Sequence, residues 1–196
     1  MNIRACDPDC RTPAFAVFDG TRLRHWQLLQ AGRAGHVERV FPDIEAIIGA
    51  WRPRLLVIES QYLPSGAEAA RRFQAVSRLV EARGMIAAIF AVSNIDHRLV
   101  APFAWQSSLG GAALGRDQLK RRSILKASEI AGARIEDHNV ADSINIGYWF
   151  VTAQRFGRKV SECVRRADRR AGSAPSAAAG PGVGRSTKLV SMRRGR

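Results

Sequence analysis

Three carboxylates stand where they could act together. They are Asp7 in Ile3-Arg4-Ala5-Cys6-Asp7-Pro8-Asp9, Glu59 in Leu55-Leu56-Val57-Ile58-Glu59, and Asp142 in Asp137-His138-Asn139-Val140-Ala141-Asp142. The first two each follow an apolar run that reads as a strand. The third falls in the opening turns of a helix. Carboxylates brought together from strand ends and a helix repel one another unless a cation lies between them, so the pattern points to a divalent-metal site. Singly, an Asp after a strand is a turn residue and an Asp in the first turn of a helix serves its dipole. Glu59 resists that reading, because a charge closing an apolar run is costly to bury without a partner.

The elements that must position these residues follow from the hydrophobic pattern. Residues 2–6, Ala14–Phe18 and Leu23–Leu29 read as three strands of an antiparallel meander, with Asp19-Gly20 as a hairpin turn. Phe41-Pro42-Asp43 opens a helix that Arg52-Pro53 ends. Leu55–Ile58 reads as a strand covered on both faces. Residues 65–83 have helical period, with Ala69, Phe73, Val76 and Val80 as the expected buried stripe and Gly84 as the cap. Met85–Val92 reads as another buried strand, which makes a parallel crossover unit. A short helix and a loop are expected over 101–115, then a basic helix over Arg116–Ala131 carrying Lys120, Arg121, Arg122 and Lys126. Ile135 marks a short strand or turn. The last helix is expected from about Asn139 to Phe156.

The chain has 196 residues, 46% of them hydrophobic, enough for one domain with a real core. No apolar run approaches the ~20 residues of a membrane span, and no signal-peptide pattern opens the sequence, so a cytoplasmic protein is expected. The formal net charge is +14. Residues 165–196 hold nine basic residues and one acidic residue, so +6 remains on the rest. Such a charge attracts polyanions, nucleic acid foremost. After about Val164 the composition turns to Ala, Gly, Ser, Pro and Arg, which reads as a disordered basic tail. The expected organisation is a domain over 1–164 and a tail over 165–196. Cys6, Cys10 and Cys163 are an odd set without zinc spacing, read as reduced thiols.

With these segments in order, the sequence resembles the RuvC-type Holliday junction resolvases of the ribonuclease H-like superfamily. The resemblance rests on Asp7-Pro8, Ile58-Glu59-Ser60-Gln61-Tyr62, Pro102 with Trp105-Gln106 and Leu109-Gly110, the Lys120 region, and Asn139-Val140-Ala141-Asp142-Ser143. It covers roughly residues 2–152. It implies an α/β fold, a five-stranded mixed sheet flanked by helices. It implies a homodimer that cuts four-way or branched DNA in recombination, repair or the resolution of replicating DNA, with two Mg²⁺ or Mn²⁺ ions per site and no small-molecule cofactor or membrane. The compact chain would suit a phage or prophage enzyme.

The same resemblance implies that Asp7, Glu59 and Asp142 hold the metal. It places a fourth ligand about one helical turn before Asp142. His138 lies four residues before and Asn139 three before, on the same helix face. His138 is the expected ligand, with Asn139 or Asp137 as alternatives. Tyr62 would stack at the junction, against the plainer reading of a half-buried loop aromatic. Lys120, Arg121 and Lys126 would touch DNA, against that of a solvated helix face. Trp105 reads as a packing residue. The chain departs from the pattern at Asp9, where the family has Gly, and Asp9 reads as a turn residue. Two other functions compete: a related nuclease acting on RNA or hybrids, and a nucleic-acid-binding relative without catalysis.

Overall fold

The structure, a computed structural model, describes residues 2–32, 37–61, 67–110 and 114–155. Tyr62 and the segment 165–196 lie outside them. Strands β1 (Asn2–Asp7), β2 (Ala14–Asp19) and β3 (Arg22–Leu28) form an antiparallel meander. The two-residue loop between β2 and β3 uses Gly20 at φ 58°, a left-handed conformation that suits glycine. Helix α1 (Phe41–Trp51) starts with Pro42 in its first turn and ends on Arg52 in the left-handed region, just before Pro53. Strand β4 (Leu55–Glu59) pairs parallel with β1, and β5 (Asp96–Val100) pairs parallel with β4. The sheet is mixed and five-stranded, in the order β3-β2-β1-β4-β5.

The crossover between β4 and β5 differs from expectation. Helix α2 runs unbroken over Ala67–Val92, 26 residues, and Gly84 lies inside it. Met85–Val92 is helix, not strand. An apolar run of this length fits either element, and here Ala82, Ile86 and Phe90 recur at four-residue spacing and are buried against the sheet. The stop signal is Asn94 at φ 55°: its N–H bonds Ala91 O and the Ile95 N–H bonds Phe90 O, each at 2.9 Å, a Schellman ending with Ile95 and Phe90 in one apolar cluster. The strand that follows is polar because it is an edge strand, exposed at Asp96, His97, Arg98 and Leu99.

The expected buried stripe of that helix is also displaced. Phe73 is 57% and Val80 38% exposed, Val76 is half-buried, and the side chain of Ala69 is outside the described set. A helix of this length spans about 39 Å, and β4 about 17 Å, so α2 outruns the sheet and its N-terminal half leaves the core.

The chain then forms α3 (Pro102–Gln106), a 3₁₀ turn over Ser107–Leu109, α4 (Arg116–Ala131) and α5 (His138–Arg155). Ile135 is buried in the irregular link between the last two helices. Two cores result. One, with Cys6, Leu56, Ile58, Ile86 and Phe90, lies under α1 and α2. The other, with Ile3, Ala5, Phe18, Val57, Ala127, Ile144 and Phe150, lies under α4 and α5. Gly147 lets α5 close on the sheet: a Cβ there would stand 2.7 Å from Phe18 Cδ2 and 3.0 Å from Ala5 Cβ. Among the described residues no helix is long and apolar enough to cross a membrane.

Candidate metal centre

Parallel pairing places the first two carboxylates. Cys6 stands opposite Ile58, so Asp7 and Glu59, one residue further, finish their strands at the same edge of the sheet. Strand alternation does the rest: Cys6 and Ile58 face α1 and α2, whereas Ala5 and Val57 face α5, and Asp7 and Glu59 follow them. α5 delivers Asp142 from above. All three line one cleft of about 440 Å³, with Asp9, His138 and Asn139 also in its wall. Val76 and Leu79 of α2 close one side, and Arg116, Lys120 and Ser123 of α4 close another.

The electrostatics show what this convergence costs. Asp7 is held well above the usual carboxylate range, first by burial and then by the charges of Glu59 and Asp142. Burial pushes Glu59 up to about 7; a hydrogen bond from Trp105 works against that rise, and Asp142 adds to it. Burial likewise pushes Asp142 up to about 6, opposed by the Ser123 hydroxyl, His138 and Lys120. Each acid therefore raises or is raised by another, and no Lys or Arg among the described residues forms an ion pair with any of them.

Two carboxylates are turned to neutral donors. Trp105 Nε1 donates to Glu59 Oε1 at 2.8 Å from a fully buried indole. The Ser123 hydroxyl donates to Asp142 Oδ1. Among the described residues no group of three or more His, Cys, Asp and Glu side chains is gathered so that it could hold an ion as it stands. Bare carboxylates repel one another. Desolvated carboxylate oxygens of this kind are the donors that suit a hard divalent cation.

The other expected site residues divide. His138 opens α5, is exposed, lines the cleft and lowers the Asp142 pKa by its charge. Asp137 caps α5 instead of facing the cleft: its Oδ1 accepts from the Asn139 and Val140 N–H groups at 2.8 and 3.0 Å. Asn139 is buried and spends its amide on Thr12, donating to Oγ1 at 2.8 Å and to the backbone oxygen at 3.1 Å. Asp9 folds its own loop, accepting from the Arg11 and Thr12 N–H groups at 2.8 and 2.9 Å, while also lining the cleft. The contacts of Asn139 and Asp9 with Thr12 tie the first turn of α5 to the loop after β1.

Lys120 faces the cleft. Arg121, one residue on, is exposed and outside its lining. Lys126 lies elsewhere, in a cavity with Tyr148 and Trp149, and pairs with Glu129 at 2.9 Å. Cys6 is buried and Cys10 half-buried, both free. Sequence reasoning missed three residues: Trp105 as a donor, Ser123, and Asn145 behind it. For the last the sequence carries a signal, a polar residue inside the apolar run Ile144-Asn145-Ile146, which demands a buried partner.

This sheet order, with β4 parallel to β1 and β5 parallel to β4, is that of a ribonuclease H-like fold. No protein-family model matches the chain, and no curated protein matches it. Solved structures do. Thermus thermophilus RuvC in complex with a Holliday junction substrate matches with a TM-score of 0.62 at 16% identity, covering 81% of this chain and 98% of that one. A second structure of Thermus thermophilus RuvC matches with a TM-score of 0.61 at 17% identity over the same shares of the two chains. At this identity the likeness is one of fold: the chain has the fold of RuvC.

Proposed function

We propose that this protein is a structure-selective endonuclease that hydrolyses phosphodiester bonds in four-way or otherwise branched DNA. The observation that carries the proposal is the convergence of Asp7, Glu59 and Asp142, from β1, β4 and α5, on one cleft where burial raises all three and the charge of Asp142 adds to the rise of Asp7 and Glu59. The RuvC fold supports the choice of substrate, since one of the matching structures holds a Holliday junction.

In this reading Asp7, Glu59 and Asp142 hold divalent cations, Mg²⁺ or Mn²⁺, two per site, and His138 is the fourth ligand. The ions supply an activated water and neutralise the charge that develops on the leaving oxygen. The chain does the rest. Trp105 fixes one oxygen of Glu59 and leaves the other to the cleft. Arg116 and Lys120, on the cleft wall, draw a phosphate toward the acids. Tyr62, three residues beyond Glu59 in the sequence, is assigned to stack on bases at the branch point. Lys126, outside the cleft, is left to contact a flanking DNA arm, as is the exposed Arg121. The eight net charges after Val164 add salt-sensitive affinity without sequence preference.

A homodimer belongs to the proposal. Phe73 and Val80, one heptad apart on α2, are exposed, and a two-fold pairing of α2 with its copy would cover them. Two sites related by a dyad would then nick opposed strands of a junction with matching symmetry. The location that goes with this role is the cytoplasm, beside the DNA.

The test is incubation with a synthetic four-way junction, with and without Mg²⁺, beside linear duplex and RNA–DNA hybrid. Metal-dependent paired nicks in the junction are expected, with little cutting of the duplex. A protein that binds the junction but never cuts it, or that prefers the hybrid, overturns the reading.

A further inference from the structure

We infer that Ser123 and Asn145 form one positioning unit that sets the orientation of Asp142 for cation binding. Asn145 is 3% exposed and Ser123 2%, both buried between α4 and α5. The Asn145 amide donates twice, to the Ser123 backbone oxygen and to Ser123 Oγ, each at 2.9 Å. The hydroxyl in turn donates to Asp142 Oδ1. The direction of these bonds matters. A hydroxyl that accepts from an amide keeps its own proton for another partner, and Asp142 supplies the carboxylate that takes it. Without the amide, a helical serine turns readily to the carbonyl four residues back.

The unit therefore selects which Asp142 oxygen is occupied, Oδ1, on a side chain that lines the cleft. Its donors are neutral. A Lys or Arg in that place would hold the carboxylate equally well but would offset its charge and compete with a cation. A hydroxyl fixes the geometry and keeps the full charge available. A pair that served only to register α4 against α5 would not need to reach Asp142, because the two Asn145 bonds already satisfy that role.

The inference rests on the nuclease reading only for the identity of Asp142 as a cation ligand. Its test reads cation affinity directly, by Mn²⁺ binding followed in electron paramagnetic resonance, on the full chain below its melting range. Ser123→Ala is expected to weaken Mn²⁺ binding about tenfold, as loss of a partner that orients a ligand does. Ser123→Thr, which keeps the hydroxyl, is expected to stay within about threefold of wild type, and Asn145→Ala to fall between the two. The double variant is expected to lose no more than Ser123→Ala alone, as members of one unit do. A Ser123→Ala protein that melts lower but binds Mn²⁺ like wild type assigns the pair to helix packing and overturns the inference, leaving the nuclease reading intact. Wild type that binds Mn²⁺ yet cuts no junction overturns the nuclease reading alone, and the affinity ratio still decides this one. Wild type without Mn²⁺ binding overturns both.

Discussion

The two sides of the cleft hold their carboxylates by different means. Asp7 and Glu59 are fixed by main chain: a parallel ladder sets their height, and the alternation of β1 and β4 sets their direction. Asp142 has no ladder. Its place depends on how closely α5 lies on the sheet, through Gly147 against Phe18, and on the bond from Ser123, whose hydroxyl accepts in turn from Asn145. Backbone pairing is stiff and local in its consequences. Helix docking is adjustable and transmits a distant change in packing to the site. The sheet side can therefore lose chemistry without losing shape, whereas the helix side loses shape first.

The largest effect expected is on the sheet side. Glu59→Gln keeps the strand and an oxygen for Trp105 but removes the charge. Nicking of a four-way junction should fall on the order of 10³-fold, the equivalent of about 4 kcal/mol in the barrier. Junction binding in a gel-shift assay should persist. A loss of binding equal to the loss of cutting would mean that Glu59 holds structure and not chemistry.

The next effect divides the two sides by pH. Glu59 and Asp142 are raised in the folded protein to about 7 and about 6, above unfolded values of about 4. A raised carboxyl favours the folded state while it is protonated. That contribution is fully present below about pH 4 and is lost as pH rises through about 6 and about 7. The metal-free protein should therefore melt lower at pH 8 than at pH 5, and Mg²⁺ or Mn²⁺ should narrow the gap. Hydrogen exchange should quicken in the first turns of α5 before it does in β1. Equal melting temperatures across that range would show that burial does not raise these two acids.

Gly147→Ala probes the helix side alone. Its methyl group meets the buried ring of Phe18, an overpacking that costs about 1–3 kcal/mol. A lower melting temperature is expected together with weaker Mn²⁺ binding, and Phe18→Leu in the same chain should recover part of both. The smallest contrast lies along α4. Lys120→Ala should slow junction nicking several-fold, in a salt-dependent way, because Lys120 faces the cleft. Lys126→Ala should change it by less than about twofold, since that ammonium is exposed and paired with Glu129 outside the cleft.

What the sequence made legible follows the same division. The ends of β1 and β4 were readable because short apolar runs stop at an acid, and α4 was readable to its last residue, between Gly115 and Gly132. Met85–Val92 was misread because eight apolar residues suit a buried strand as well as a helix. The true strand, Asp96–Val100, hid behind its polarity as an edge. Asn94 was the overlooked signal, a residue suited to a left-handed helix ending. At the site, the three acids were visible as types in order. The roles of Asp137 and Asn139 were not, because a helix cap and a clamp on Thr12 depend on where the helix starts to within one residue. Trp105, 46 positions from Glu59, and Ser123, 19 from Asp142, become partners only once the chain is folded.

The overhang of α2 bounds the way into the cleft. The first 14 residues of the helix, about 21 Å, extend past the sheet and carry Val76 and Leu79 over the cleft. Ala82, Ile86 and Phe90 anchor the C-terminal half on the sheet, so a small tilt there becomes a displacement of several ångströms at the N-terminal end. Gly84 sits in that anchored half, where a methyl group would meet no atom within 4 Å. A glycine there costs the helix about 1 kcal/mol relative to alanine without any packing reason for its presence. Val76 and Leu79 line the cleft from the overhanging half of the helix, so the tilt of α2 against the sheet sets how far they stand from the acids.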